Sequence, residues 1–200
     1  VGFVMATMGI KTELTGHAEP NENPILYVCN HRSFTDPIIV SRYINAYAIS
    51  KAEVGNYPLI STGAQETGVI YVKRNDRKSR NATKDAIEQA MGEGKNILIY
   101  PEGTTGNQET TKEFKRGSFD VAAKHGYAVV PIILEYKNRN LDYWFERGLG
   151  AQMYRQYSKA KTYTKIHFDN PIKDEDGQRL MEKAQAAINH KIMEMHNHWK

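Results

Sequence analysis

Short runs of β-branched and aromatic residues alternate along this chain with longer, charged stretches of helical period. That alternation predicts an α/β domain with a mixed, largely parallel central sheet covered by helices. Two further observations support it. The runs "ILYV" and "ILIY" pass directly into the polar loops "CNHR" and "PEGT", as strands of such sheets do at the carboxyl ends where catalytic groups gather. The length, 200 residues, suits a single domain over 1–200 with ample chain for a core.

The first expected strand is "PILYVC" (24–29). After a bend over "RSFT", Pro37 stands where a first helical residue would, directly behind Asp36 as a possible N-cap, so a helix is expected near 37–44. "NAYAIS" (45–50) and "GVIYVK" (68–73) read as strands around a helix near 56–65, and 77–92 reads as the next helix. "KNILIY" (95–100) is a strand stopped by Pro101, followed by a helix over 116–125 and the strands "YAVVPIIL" (127–134) and "TYTKIHF" (162–168). From about 174 to 199, Leu180, Ala184, Ala187, Ile188, Lys191, Met195 and Trp199 recur at helical spacing, which predicts a core-docking helix. The stretch 137–161 is rich in Arg, Lys, Tyr and Trp and has no clear period. There is no internal repeat, low-complexity tract or Pro/Gly-rich linker.

Hydrophobic residues at 40% and charged residues at 25% exclude a disordered chain. The net charge of +4 suits an anionic substrate or membrane surface, while the absence of a basic stripe with interleaved aromatics argues against nucleic acid. The lone Cys29 excludes an internal disulfide framework and favours the cytosol. No apolar run approaches the roughly 18 residues of a spanning helix. The longest candidate, "VGFVMATMGI", stops at Lys11.

Chemistry concentrates in three places. His31 and Asp36 stand five positions apart. On one helix they would be separated by roughly 140° around the axis, and on one strand they would face opposite ways. Only a strand–bend–helix turn brings them together, as a general base with its orienting acid. The competing reading is a surface histidine beside a capping aspartate. The chain has no Gly-x-Ser-x-Gly elbow, and Cys29, two residues before His31, reads as core. The remaining histidines lie in no metal-ligand spacing. His31 would then activate a hydroxyl of the substrate itself. In "YPEGTTGN" (100–107), Gly103 frees the backbone to approach a ligand and Glu102 can bind a hydroxyl or neutralise a cation, although a plain turn uses Pro and Gly equally well. Downstream, Lys115 and Arg116 open the helix over 116–125, where the dipole also favours an anion. In "GVIYVKRN" (68–75), Arg74 behind Lys73 either grips a phosphate bidentately or forms a solvated basic turn.

These segments resemble the four blocks of the glycerolipid acyltransferase family, whose best-known members are the lysophosphatidic acid acyltransferases. "NHRSFTD", "GVIYVKR", "YPEGT" and "VVPI" follow in the family's order within about 25–135, and "ISKAEVGNYPLI" resembles its lysine-bearing connector. The resemblance implies a glycerol-3-phosphate acyltransferase-like fold. It also implies transfer of a fatty acyl group from acyl-CoA or acyl carrier protein to a lysophospholipid hydroxyl, with no cofactor or metal. His31 is then the base and Asp36 its partner. Arg74, Glu102, Gly103, Thr104, Lys115, Asn30 and Lys51 are expected to bind substrate. A location on the cytoplasmic face of a membrane is also implied, attached peripherally through "VGFVMATMGI" with Tyr143, Trp144 and Phe145. The chain departs from the family at Thr105, where arginine is common; this leaves the acceptor open between 1-acyl-sn-glycerol-3-phosphate and another lysolipid such as a lyso-aminolipid. Two other functions compete: a thioesterase in which His31 activates water, and a lipid-binding protein with a decayed site.

Overall fold

In chain order the elements are α1 (Gly2–Thr7), β1 (Ile10–Gly16), β2 (Ile25–Cys29), α2 (Asp36–Val40), β3 (Tyr47–Lys51), β4 (Val69–Val72), α3 (Arg77–Gly92) and β5 (Ile97–Ile99). The second half continues with α4 (Gly117–His125), β6 (Ala128–Tyr136), α5 (Arg139–Asp142), α6 (Leu149–Tyr157), β7 (Thr162–Phe168) and α7 (Gly177–Asn197). This computed structural model describes residues 1–16, 24–51, 68–72, 77–145 and 148–199. The helix expected near 56–65 falls outside them.

The described strands form one sheet in the order β1-β7-β6-β2-β5-β3-β4. Neighbours from β6 to β4 pair in parallel, β7 pairs antiparallel with β6, and β1 runs parallel to β7. The carboxyl ends of β2 through β6 therefore share one end of the sheet with the first residues of β7 and β1, and with the chain that leads in from α1.

Alternation along the strands supplies two cores. Leu26, Val28, Ile97, Ile99, Val129 and Ile133 face one way, against α3, α4 and the apolar stripe of α7. Ile25, Tyr27, Cys29, Val130, Ile132 and Leu134 face the other, against Met5 of α1 and Ile39 and Val40 of α2. Cys29 is fully buried in this second core, and burial pushes its thiol well above its ordinary value. The C-terminal helix docks as expected, burying Leu180, Met181, Ala184, Ile188, Ile192 and Met195, with Asp176 capping it by accepting from Gln178 N and Arg179 N.

Four elements were not foreseen: β1, α1, α5 and α6. β1 is an edge strand whose residues beyond Ile10 are mostly exposed, so it lacks an apolar run. α6 lies in the stretch without a clear period because its buried residues are Gln152 and Gln156, a polar pair at i and i+4.

Candidate active site

Parallel pairing sets the site. Val28 of β2 lies opposite Ile99 of β5, so His31 and Glu102 each stand three residues past paired positions, in adjacent loops at the carboxyl ends of adjacent strands. The loop after β2 does not cross to the partner strand, but its first residue extends the ladder. The Asn30 side-chain amide donates to Leu134 O at 2.8 Å and accepts from Leu134 N at 2.9 Å. Asn30 is fully buried. Expected among the substrate-binding residues, it here uses both ends of its amide to tie β2 to β6.

The bend over 32–35 brings His31 Nδ1 to 2.8 Å from Asp36 Oδ2. The same oxygen accepts from Arg32 N at 2.5 Å and Ser33 N at 2.8 Å, and Oδ1 accepts from the Tyr136 hydroxyl at 2.5 Å. The expected cap role of Asp36 is thereby corrected. Thr35 occupies the N-cap position of α2, and the Asp36 carboxylate turns back onto the loop that precedes it. Donors on both oxygens match the lone pairs of an ionised carboxylate, so Nδ1 of His31 carries the proton and Nε2 is left as the basic nitrogen. Nε2 has no hydrogen-bond partner among the described residues, and the His31 side chain retains 20% exposure. Tyr100 stacks on its other flank, with ring centroids 4.3 Å apart. Burial, together with the charge of Asp36, holds the Tyr136 hydroxyl well above its ordinary value, which keeps it a donor.

Glu102 braces this loop from the second motif. Its Oε1 accepts from His31 N and its Oε2 from Lys112 N, both at 2.8 Å, while Gly106 N donates to His31 O at 2.8 Å. Only 5% exposed, the Glu102 carboxylate accepts a backbone amide on each oxygen. Burial raises its carboxyl value, and the two backbone donors pull the other way. Gly103 adopts φ 72°, and a Cβ there would stand 2.4 Å from Lys115 Nζ. Glycine thus permits both the left-handed turn and the approach of the Lys115 ammonium to the backbone. Thr104 is exposed beside it. Gly103, Thr104 and Lys115 form a cationic, glycine-floored surface next to the His31 loop.

β4 ends at Val72 at the same end of the sheet, three strand positions from β2, or about 14 Å at ordinary strand spacing. Arg74, two residues on, lies outside the described residues, as does the side chain of Lys51.

Beneath the loop lies a polar network that the sequence did not reveal. Arg32 is fully buried; its Nε donates to Glu135 Oε1 at 3.1 Å, its Nη1 to the carbonyls of Gly106 and Thr110, and its guanidinium lies 5.0 Å over the Tyr143 ring. Glu135 also accepts from the Tyr143 hydroxyl, and His196 Nε2 of α7 lies 3.1 Å from its Oε2. Burial works against the Arg32 charge, but Glu135 and its neighbours hold the guanidinium above its ordinary value. α6 covers the bend, with Gln156 bonded to Ser33 Oγ and Thr35 Oγ1. Tyr143, expected at a membrane surface, is 1% exposed and belongs to this network, whereas Phe145 is 42% exposed. No cluster of three or more metal-ligating side chains occurs among the described residues.

The sequence profile of the Acyltransferase family matches residues 11–135. The chain is 33% identical over 132 residues to the lyso-ornithine lipid O-acyltransferase of Pseudomonas aeruginosa, an alignment covering 66% of this chain and 50% of that protein. It is 24% identical over 193 residues to the 1-acyl-sn-glycerol-3-phosphate acyltransferase of Neisseria meningitidis, covering 92% of this chain and 76% of that one. The chain thus spans about half to three quarters of the length of these relatives. Among solved structures, the 1-acyl-sn-glycerophosphate acyltransferase PlsC from Thermotoga maritima superposes with a TM-score of 0.75 at 15% identity, over all of this chain and 78% of that one. At that identity the likeness is one of fold.

Proposed function

The chain belongs to the Acyltransferase family, and from that premise we propose that it transfers a fatty acyl group from an acyl thioester to the hydroxyl of a lysophospholipid. The observation that carries this reading is the His31–Asp36 pair, held at 2.8 Å with the second ring nitrogen unpartnered among the described residues. Nε2 takes the proton of the acceptor hydroxyl as its oxygen attacks the thioester carbonyl carbon. The imidazolium is stabilised by Asp36, and it returns the proton to the sulfur when the carbon–sulfur bond breaks. Acyl-CoA or acyl carrier protein enters as a substrate, and the reaction balances without a resident cofactor.

Lys115 beside Gly103 and the exposed Thr104 offer charge and hydrogen bonds to the acceptor headgroup, with Arg74 and Lys51 as further phosphate ligands. Two relatives support two acceptors, the 1-acyl-sn-glycerol-3-phosphate of the Neisseria protein's name and, for a lyso-aminolipid, the lyso-ornithine lipid of the Pseudomonas one. Thr105, where arginine is common in the family, favours testing both. Peripheral attachment to a membrane surface is supported by Phe3 (82% exposed) and Val4 (43% exposed) on α1. Among the described residues no helix is long and apolar enough to cross a membrane.

Thiol release from acyl-CoA and from acylated carrier protein, measured with lysophosphatidic acid, with a lyso-aminolipid and with neither, tests the reading. Release that requires a lysolipid is expected. Equal release without one would make the protein a thioesterase.

A further inference from the structure

β6 continues four residues beyond Ile132, its last pairing with β2, and so outruns β2 at the catalytic end while staying paired with β7 as far as Tyr136. Between this extension, α5 and the turn into β7 lies an open cavity of about 570 Å³. Lys137 and Arg139 line it from one side, Lys159 and Lys161 from the other, with Tyr163 between them on β7. None of these side chains is hydrogen-bonded to His31, Asp36 or Glu102.

The wall is built as well as charged. Asp142, fully buried, fixes the Lys159 ammonium at 2.6 Å through Oδ1, and Thr162 Oγ1 holds the same head at 2.5 Å. Asp142 is the one carboxylate of the lining, and it is spent on Lys159. Among the described residues Lys137, Arg139 and Lys161 have no carboxylate partner. Asp142 is itself 0% exposed, so its carboxylate lies behind the wall and the cations face the cavity.

A guanidinium and two ammonium groups converging on one concavity match a phosphate in charge and in donor number. The volume falls within the range of about 300–1,000 Å³ common for small-molecule sites and exceeds that of a bare anion. We infer that this cavity is a second ligand site, separate from His31, which takes the phosphate-bearing part of a larger molecule. That phosphate belongs either to a soluble nucleotide or to the headgroup of an anionic phospholipid at the membrane. The inference does not depend on the acyl-transfer reading, because its test measures binding instead of turnover.

The test uses the whole chain and the double variant Lys137→Glu/Lys161→Glu, whose altered side chains are exposed. Lys124→Glu/Lys183→Glu, an equal charge change on α4 and α7, is the control. Adenosine 3′,5′-bisphosphate is titrated by calorimetry, and vesicles of phosphatidylcholine containing phosphatidylglycerol are co-sedimented. The pocket variant is expected to bind at least one probe about tenfold more weakly, a change of about 1.4 kcal/mol, with the control unchanged. Loss confined to the nucleotide identifies a soluble ligand, and loss confined to vesicles identifies a lipid headgroup. Binding of neither probe by the unmodified protein, or equal loss in both double variants, would overturn the inference. If glutamate disturbs the fold by circular dichroism, Lys137→Gln/Lys161→Gln repeats the measurement without charge reversal.

Discussion

Asp36 is the most heavily bonded residue of the site, and its fourth donor, Tyr136, is the one that comes from outside the loop. Tyr136→Phe leaves a buried carboxylate oxygen without its hydroxyl, which should cost about 1–3 kcal/mol of stability. With the pair less firmly held, kcat is expected to fall roughly tenfold, equivalent to about 1.4 kcal/mol in the barrier, at unchanged KM. Thermal melts and steady-state kinetics check both. Arg32→Met strands the Glu135 charge in the core, for an expected loss of about 3–5 kcal/mol, read from chemical denaturation. The His31–Asp36 pair was legible in the sequence because the bend that joins them is local and marked by Pro37. The Arg32–Glu135 pair was not, since its partners are 103 positions apart and each reads alone as the polar end of a strand.

At the scale of elements, two side chains do the work of backbone: Asn30 ties its loop to β6, and Glu102 ties its loop to that of His31. Asn30→Ala removes both bonds to Leu134, and each orphaned backbone group should cost about 1–3 kcal/mol; KM for the acceptor should stay unchanged, which separates a strand tie from a substrate ligand. Glu102 gives a pH signature. Its carboxyl is raised by burial, so it holds its proton more tightly folded than unfolded. That contribution to stability is complete below the ordinary carboxyl value near ~4.3 and is lost as pH rises through the folded value. Unfolding free energies of the protein and of Glu102→Gln, compared across this window, should therefore move in favour of the glutamine variant with rising pH. Six strands and the helices α3, α4 and α7 could be read from apolar runs and helical period. β1 could not, because an edge strand needs no apolar face, nor could α6, because hydrogen bonding fills its buried side with glutamines.

For the whole molecule, the parallel centre of the sheet brings the loops after β2 and β5, the chain leading from α1, and Lys137 and Arg139 just past β6 to one end. Phe3 on α1 and Tyr154 on α6, 82% and 83% exposed, are the most exposed large apolar side chains among the described residues, and α6 packs on the His31 bend. Phe3→Ser/Tyr154→Ser should weaken vesicle co-sedimentation and slow turnover of vesicle-borne acceptor while sparing detergent-dispersed acceptor. The largely parallel architecture was legible in the alternation of runs; the antiparallel β7 was not, because its direction is set by pairing with β6 rather than by any local signal. The most direct test of the account is lysolipid-dependent thiol release by the protein and by His31→Asn, with melting temperatures measured alongside. The account predicts an unchanged melt and a rate lower by about 10²–10⁴-fold, the contribution of a general base. A folded His31→Asn that retained more than about a tenth of the rate would contradict it.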